Sequence, residues 1–406
     1  MDQPEVFDVI INGITLESSL FGVLLSLSGL NVLQISKKDF YGEHEATLTL
    51  NELREAVHSR QLAGNILLDD FQASNILIDL CPKIIYADSK TVELLVSTNV
   101  NNYLDFTFTN KTCILQNGRI SSLPLTVMEL IESPILSLNA KRTVSKLLHT
   151  SRTSVELSPE DLCLSLEQFA VNNGLDEESY NFIKNAVVLG SNKTSSLVNF
   201  FRSVGKFSDS SFITPFYGYG ELTQAFARLI AVLGGTQALA ANVADDVLYV
   251  RGAPACQVSY SRYIEFEDKI YPYTLLVLDG ADSVNFPVKS FLYHVEEDCW
   301  MWRSSCKLNA NKVYSTLVIS KGLYSLESLA PICNLDQVLF HYVQAPGTGS
   351  FSESDDIFDS AFKAAESVVS SLGKSLRLDR SLANLNVVAD QEQDIDSLTA
   401  SLDAIL

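Results

Sequence analysis

The feature that most restricts the fold is the order of three apolar segments at the start of the chain. Residues 6–11 are apolar and β-branched, residues 16–28 form an apolar stretch of helix length, and residues 31–35 are apolar again. Two strand-length segments on either side of a helix-length segment indicate a βαβ unit with parallel strands. The sequence therefore predicts an α/β fold, in which the turn between the first strand and the helix is the usual place for a nucleotide.

That turn departs from the dinucleotide-binding pattern. The pattern G-x-G-x-x-G supplies a tight turn, close approach of the backbone to a pyrophosphate, and close packing of the helix. Here the turn reads Asn12-Gly13-Ile14-Thr15-Leu16-Glu17, so one glycine remains and Glu17 places a carboxylate near the helix N-terminus. The second strand is followed by Ser36 rather than by the acid that would bind a ribose. We expect no cofactor; the alternative is an eroded turn that still binds nucleotide through other groups.

The pattern of apolar residues changes near residue 124. Beyond it, apolar residues recur at helical spacing until strand patterns return after residue 212. An amphipathic helix is predicted over residues 357–372, and short strands are predicted at residues 247–250, 274–278, 313–319 and 338–343. We therefore predict a large discontinuous domain, an inserted all-helical domain and an acidic tail, formed by residues 1–123 with 213–378, by residues 124–212, and by residues 379–406.

Composition and charge exclude several classes of function. The 406 residues are 47% apolar, which is enough for a large core, and 49 acidic against 29 basic residues give a net charge of −20. A chain this acidic repels phosphate backbones, so we expect no nucleic-acid partner. The seven cysteines are scattered without a CxxC pair, which is typical of reduced thiols in a cytoplasmic protein.

Targeting and catalytic patterns are also missing from the sequence. The N-terminus lacks the basic region of a secretory signal, the chain ends without a prenylation box, and no apolar run is long enough to span a membrane. The five histidines are dispersed without metal-ligand spacing, and neither a nucleophile elbow nor a P-loop motif occurs. We expect a non-enzymatic protein without a metal site.

Two segments far apart in the chain resemble conserved regions of one protein family. The first is Lys37-Lys38-Asp39-Phe40-Tyr41-Gly42-Glu43, just after the second predicted strand. The second covers residues 216–228 and continues into Gly234-Gly235-Thr236. Further matches lie at residues 79–84, 103–106 and 117–124. Together these segments resemble the Rab GDP-dissociation inhibitors and Rab escort proteins, a family that is built like flavin-containing oxidases but generally does not use flavin.

The resemblance implies which residues would bind a Rab GTPase. In the family the two regions form one platform on the large domain, and the matching motifs assign this role to Tyr41, Gly42, Gly218, Gly220, Glu221 and Arg228. Glu221 and Arg228 lie seven residues apart on a predicted helix and can project to the same surface; the alternative is a solvated helix face. Tyr41 could instead be a core aromatic, but the charged residues around it favour an exposed loop.

The resemblance also implies that the helical insert binds a geranylgeranyl chain. Such a lipid needs a slot between apolar helix faces, and each buried methylene contributes about 0.8 kcal/mol. The candidate lining residues are Leu130, Ile131, Leu136, Leu147, Phe169, Ile183 and Val187. The alternative is an ordinary helix-bundle core, which must hold for most of them.

Three functions remain open. The preferred one is a Rab escort protein that binds GDP-bound Rab, presents it to the Rab geranylgeranyltransferase heterodimer and delivers the lipidated product in transient contact with membranes. The second is a Rab GDP-dissociation inhibitor that extracts and recycles prenylated Rab. The third is a flavin-dependent oxidoreductase or a decayed relative of one. The sequence after residue 79, with Ala87-Asp88-Ser89, favours the escort proteins, because inhibitors usually have asparagine-glycine after the alanine.

Overall fold

The computed structural model of the protein describes the greater part of the chain. The described residues are 4–72, 76–109, 111–116, 119–124, 127–133, 136–142, 144–145, 164–188, 191–207, 210–267, 269–280, 284, 290–294, 299–308, 312–320, 329–330, 332–344 and 354–376. They form a six-stranded sheet, an eight-stranded sheet and two smaller sheets, with helices packed against them. The predicted tail, residues 379–406, lies outside the described residues.

The predicted βαβ unit forms at the start of the chain. Strand β1 (Glu5–Asn12) leads into helix α1 (Leu16–Leu27) and then into strand β2 (Val32–Ile35), and the two strands pair in parallel. Thr15 caps the helix, because its hydroxyl accepts a hydrogen bond from the N–H of Ser18 while the Ser18 hydroxyl accepts one from the N–H of Thr15. The predicted α/β class is confirmed.

Much of the remaining chain forms short strands. In chain order these are β3 (Thr47–Thr49), β4 (Gly64–Asp69), β5 (Leu77–Asp79), β6 (Ile85–Tyr86), β7 (Phe106–Phe108), β8 (Thr112–Gln116), β9 (Arg119–Ser122), β10 (Phe212–Pro215), β11 (Thr236–Ala238), β12 (Ala241–Ala244), β13 (Val247–Val250), β14 (Cys256–Glu265), β15 (Tyr273–Asp279), β16 (Ser290–His294), β17 (Cys299–Leu308), β18 (Lys312–Ser320) and β19 (Val338–Gln344). The four strands predicted after residue 240 are confirmed as β13, β15, β18 and β19.

Two sheets contain most of these strands. The six-stranded sheet has the order β11-β2-β1-β14-β13-β12, and the eight-stranded sheet has the order β4-β19-β15-β18-β17-β16-β8-β9. The first sheet contains the parallel strands of the βαβ unit, whereas neighbours in the second run antiparallel except for β16 beside β8. The two small sheets pair β3 with β5 and place β10 between β6 and β7. The short β3–β5 pair carries the residues that matter most for the site.

The helices that follow α1 fall into three groups along the chain. They are α2 (Leu50–His58) and α3 (Lys90–Ser97); α4 (Val127–Glu132), α5 (Leu166–Asn172), α6 (Glu177–Phe182, continued by a π-helical turn over Ile183–Val187) and α7 (Thr194–Ser203); and α8 (Gly220–Val232) and α9 (Ser354–Ser371). Residues 138–142 are also helical. The middle group falls in the segment that the sequence pattern marks as helical, and the domain boundaries remain a prediction.

Helix α1 is buried on nearly all sides because two later helices pack against it. Phe21 of α1, Phe226 and Ile230 of α8, and Ala361 and Ala365 of α9 belong to one buried apolar cluster. Complete burial of a large apolar side chain contributes about 1.5–3 kcal/mol, so this cluster is a main source of stability. Since α8 begins within the second family-like segment, the same packing fixes that segment to the βαβ unit.

Candidate functional site

The structure places the second family-like segment in direct contact with Thr47, which follows the first segment in the chain. The N–H of Gly220, at the start of α8, donates a hydrogen bond to the hydroxyl of Thr47 at 3.1 Å. A Cβ atom on Gly220 would lie 2.4 Å from the backbone nitrogen of Thr47, and one on Gly218 would lie 2.5 Å from its hydroxyl oxygen. Gly218 also has a φ of +131°, which disfavours any side chain there. Both glycines are therefore required for the contact with Thr47.

Residues 79–84, another segment that resembles the family, also take part in this contact. Asp79 ends β5, which pairs with β3 so that Asp79 lies opposite Thr47. Its carboxylate accepts a hydrogen bond from the N–H of Tyr219 at 2.6 Å. Burial raises the pKa of Asp79 to about 7, although the backbone N–H groups of Tyr219 and Cys81 and the charge of Lys83 act in the opposite direction. The turn between Gly218 and Gly220 thus rests on a buried carboxyl group.

A buried ion pair completes the arrangement. The ammonium group of Lys83 lies 2.7 Å from the carboxylate of Glu45, and both side chains are almost fully buried. The Lys83 ammonium also lies 5.2 Å from the ring centroid of Tyr219 and 5.6 Å from that of Tyr271. Burial lowers the pKa of Lys83, but Glu45, assisted by Cys81, Tyr219 and Tyr271, acts in the opposite direction, and the pKa lies above its usual value. We call Glu45, Thr47, Asp79, Lys83 and Tyr219 the polar junction.

Sequence reasoning did not select the charged residues of the polar junction as site residues. The segment that resembles the family at residues 79–84 contains both Asp79 and Lys83. The signal available was the presence of charges within an otherwise apolar stretch, which is uncommon where a segment is buried. The burial of Glu45 was harder to predict, because Glu45 follows the first segment among other charged residues.

The surface above the polar junction is aromatic. The side chains of Phe216 and Tyr217 are 41% and 48% exposed, and their rings meet edge to face with centroids 4.9 Å apart. Phe216 is fixed by a hydrogen bond from its N–H to the carbonyl of Asp105 at 2.7 Å. Glu221 accepts a hydrogen bond from the N–H of Tyr217 at 3.2 Å, so its partly buried side chain folds back on the same turn. Tyr41, in the segment between β2 and β3, is half-buried.

Arg228 lies two turns further along α8 and is exposed. The carbon at the centre of its guanidinium group lies 4.4 Å from the ring centroid of Tyr103. This cation–π contact orients the guanidinium while leaving its hydrogen-bond donors available to solvent. The expectation that Glu221 and Arg228 share one function on α8 remains a prediction, since the two side chains make different contacts.

The turn between β1 and α1 does not fit a dinucleotide. A pyrophosphate at this place would need the backbone N–H groups of the turn. The carboxylate of Glu43 lies there instead and accepts hydrogen bonds from the N–H of Ile14 at 3.4 Å and from the Ser36 hydroxyl at 2.5 Å. Gln34 adds a hydrogen bond from its Nε2 to the carbonyl of Gly13 at 3.1 Å. Side chains of the protein itself therefore bind the backbone groups of this turn.

Comparison with known proteins gives the family. The family model for GDP dissociation inhibitor matches residues 1–272. The chain belongs to the GDP dissociation inhibitor family. It is 30% identical over 273 residues to guanosine nucleotide diphosphate dissociation inhibitor 1 of Arabidopsis thaliana, covering 63% of this chain and 58% of that protein. It is 26% identical over 286 residues to Rab proteins geranylgeranyltransferase component A of Drosophila melanogaster, covering 61% of this chain and 55% of that protein.

The chain spans about three fifths of the length of the curated relatives that it matches. Among solved structures, the Rab GDI of Plasmodium falciparum is similar with a TM-score of 0.67 and 18% identity, covering 92% of this chain and all of that chain. A putrescine oxidase variant is similar with a TM-score of 0.51 and 10% identity, covering 90% of this chain and 99% of that chain. These structural likenesses establish a flavoprotein-like fold for this family member.

The predicted lipid-lining residues of this family member do not all lie together. Five of them belong to one buried apolar cluster within and beside helices α4 to α7, which we call the helical cluster; they are Leu130, Leu136, Phe169, Ile183 and Val187. Ile131 lies outside this cluster and is 59% exposed, and its place in a lipid slot remains a prediction. Leu147 lies outside the described residues.

Other kinds of site find little support in the part of the chain that the structure describes. Among those residues, no group of three or more histidine, cysteine, aspartate or glutamate side chains is arranged to hold a metal ion. Over the same ranges, no helix is both long and apolar enough to cross a bilayer. The polar junction and the helical cluster therefore remain the two regions from which a function can be argued.

Proposed function

We propose that this chain is a non-catalytic Rab-binding protein and that it acts as an escort protein in prenylation. It binds Rab GTPases in the GDP form, presents them to the Rab geranylgeranyltransferase heterodimer, and carries the lipidated product to membranes from the cytoplasm. The observation that carries this proposal is the contact of Thr47 with Gly218 and Gly220 in the polar junction. Membership of the family supports it.

The aromatic surface is the proposed docking place for the GTPase. Tyr41, Phe216, Tyr217 and Arg228 are of the residue types that contribute most to protein interfaces. The N–H groups of Phe216 and Tyr217 both donate hydrogen bonds that hold the backbone, so little backbone entropy is lost when a partner binds there. To favour the GDP form, this surface must bind that form more tightly than the GTP form, because equal affinity for both would shift no equilibrium.

The helical cluster is the proposed source of the lipid slot. Leu130, Phe169, Ile183 and Val187 are closely packed in the structure, so a lipid would enter only if helices α4 to α7 move apart. Ile183 and Val187 bound a π-helical turn, a feature that occurs often at functional sites because it weakens regular helix packing. Replacement of contacts within the cluster by contacts with a C20 isoprenoid keeps apolar area buried throughout.

A GDP-dissociation inhibitor is the second candidate function. The comparisons favour it in one respect, since the relatives with about 30% identity carry inhibitor names and the component A relative is 26% identical. The sequence favours the escort function at Asp88 and Ser89. In the structure Ser89 caps α3, while Asp88 pairs with Lys206 just after α7. This departure from the inhibitor pattern therefore lies where the helical region meets the sheets.

A reconstituted prenylation reaction separates these functions. It contains Rab loaded with GDP, the transferase heterodimer and geranylgeranyl diphosphate, with and without this chain. We expect the chain to stimulate lipid transfer. Extraction of already lipidated Rab from vesicles without stimulation would assign the inhibitor function instead. Absence of both effects, together with absence of binding to Rab–GDP, would remove the proposal.

The flavin-dependent alternative is tested by absorption. Because Glu43 and Gln34 lie at the dinucleotide turn, we expect the purified protein to be colourless and to remain so after incubation with FAD. A retained flavin absorption band would favour the oxidoreductase.

A further inference from the structure

The backbone at Glu43 is in an unusual conformation. Glu43 has a φ of +52°, in the left-handed region that glycine prefers and that a long side chain rarely adopts. The residue is also buried, with 6% of its surface exposed. A strained residue persists only where its surroundings fix it, and such residues are concentrated at functional sites.

The carboxylate of Glu43 is fixed by partners from three places in the sequence. Besides the N–H of Ile14 and the hydroxyl of Ser36, it pairs with the ammonium group of Lys38 at 3.0 Å. The Lys38 ammonium in turn donates to Nδ1 of His44 at 3.0 Å. This network spans the turn before α1, the end of β2 and the loop that carries Tyr41.

The same loop is tied to the turn through its backbone. The N–H of Gly42 donates to the carbonyl of Ile14 at 2.9 Å. Ile14 therefore contributes both its N–H and its carbonyl to the loop, the first to Glu43 and the second to Gly42. Since Tyr41 directly precedes these two residues, its position depends on how firmly the loop is held to the turn.

The groups around this turn form an anion site, and the anion is the carboxylate of Glu43. The positive end of a helix dipole and backbone N–H groups favour negative charge at a helix N-terminus. A carboxylate satisfies that preference as a phosphate would, and Lys38 offsets the cost of burying it. Glu43, which supplies this carboxylate, is thus part of the loop that carries Tyr41.

We propose that Glu43 is a positioning residue whose carboxylate acts as an internal ligand of the former dinucleotide turn and thereby holds Tyr41 and Gly42 in place for binding. The effect on partner binding rests on the function proposed above. The occupation of the turn by the carboxylate does not depend on it.

The test uses Glu43→Gly in the full chain. Glycine accepts the left-handed backbone, so this variant removes the carboxylate without adding strain and leaves the Ile14 N–H, the Ser36 hydroxyl and Lys38 around an open space. We expect the variant to bind Rab–GDP about tenfold more weakly than the wild type. We expect sodium formate, compared with sodium chloride at equal ionic strength, to raise its melting temperature and to recover most of the lost affinity.

Two matched variants separate this effect from a general loss of stability. Glu52→Ala removes another carboxylate at a helix N-terminus, where it accepts from the N–H of Thr49 in a capping box on α2, but it leaves the turn before α1 intact. We expect no response of that variant to formate. Glu43→Gln fills the same space without charge, so it should lose affinity and show no recovery, and it serves if the glycine variant does not fold.

Each outcome decides one part of the proposal. A glycine variant that melts identically in formate and chloride would overturn the internal-ligand role, and unchanged affinity of both Glu43 variants for Rab–GDP would overturn the positioning role. If the wild-type chain binds no Rab–GDP at all, the proposed function fails, while the melting experiment still tests occupation of the turn.

Discussion

The polar junction and the helical cluster are buried to a similar degree but by opposite chemistry. The junction is held by hydrogen bonds and an ion pair, as between Lys83 and Glu45, whose strength depends on distance and direction. The helical cluster is held by apolar contacts of residues such as Leu130 and Phe169, which depend mainly on area and volume. A polar network therefore specifies one geometry, whereas an apolar cluster tolerates repacking at modest cost.

This difference fits the two tasks proposed for the family member. A surface that distinguishes one nucleotide state of a GTPase from another needs fixed side chains, and the glycine turn above Asp79 provides a fixed base for Phe216 and Tyr217. A lipid slot needs helices that separate without stranding polar groups, because unpaired polar atoms in an open slot would be costly. The two regions should therefore respond differently to substitution.

The largest effect is expected from Lys83→Met in the polar junction. The substitution leaves the Glu45 carboxylate buried without its cation, and removal of one partner of a buried pair costs about 3–5 kcal/mol. Urea unfolding followed by circular dichroism measures the loss. Replacement of both partners, as Lys83→Met with Glu45→Met, should restore most of the stability, because no uncompensated charge remains. A single variant as stable as the wild type would mean that the ion pair does not organise the junction.

The corresponding test in the helical cluster is Leu130→Ala. Leu130 is fully buried, so the truncation leaves a cavity and should cost about 2–5 kcal/mol, less wherever the neighbouring helices relax into the space. The adjacent residue supplies the control: Ile131 is 59% exposed, and Ile131→Ala should change the free energy of unfolding by less than about 0.5 kcal/mol. Equal effects of the two substitutions would contradict the orientation of α4.

Sequence reasoning predicted the parts of the fold that depend on local pattern. The βαβ unit and the strands near residues 274–278 and 313–319 follow from apolar periodicity, which is a property of consecutive residues. The pairing of Lys83 with Glu45 was not predicted, since charged residues are exposed by default and become buried only when tertiary contacts supply a partner. The exposure of Ile131 was not predicted, because α4 is only six residues long, too short for its periodicity to separate neighbouring faces.

Some residues of the candidate site were predicted from the sequence and others were not. Gly218 and Gly220 were selected from the resemblance, and the structure gives the physical reason, which is their approach to Thr47. The loss of the dinucleotide pattern was read from Gly13 and Glu17, yet the carboxylate that fills the turn belongs to Glu43. That contact joins residues 29 positions apart, and no local pattern marks which distant side chain will reach a given turn.

A pH-dependent effect is expected from Asp79→Asn. Because burial raises the folded-state pKa of Asp79 from 3.8 to about 7, the folded protein binds a proton that the unfolded chain does not bind between these values. The free energy of unfolding of the wild type should therefore fall as pH rises through this window, by up to about 1.4 kcal/mol per pH unit from this group. Asparagine still accepts the hydrogen bond from Tyr219 and does not titrate, so the variant lacks this slope.

Urea unfolding of both proteins between about pH 5 and pH 7 measures the difference in slope. Asp176→Asn is the control of opposite sign: hydrogen bonding with Ser179, whose backbone N–H donates to the carboxylate, lowers the pKa of Asp176, so its contribution is constant in this range and is lost only at lower pH. Parallel curves for the wild type and Asp79→Asn would mean that the carboxyl group is hydrated rather than buried in the junction.

The smallest effect on folding, and the most direct test of the docking surface, is expected from Arg228→Ala. The cation–π contact with Tyr103 is exposed and contributes only about 0.5–1 kcal/mol, so the fold should be retained. Affinity for Rab–GDP should nevertheless fall at least about tenfold, since an oriented guanidinium is a frequent energetic centre of interfaces. Arg202→Ala removes another exposed arginine, from α7, and should leave the affinity unchanged in the same titration. If both variants bind Rab–GDP as the wild type does, Arg228 has no part in docking. The rigid geometry of the polar junction would then have no demonstrated role in binding, even if its stability behaves as predicted.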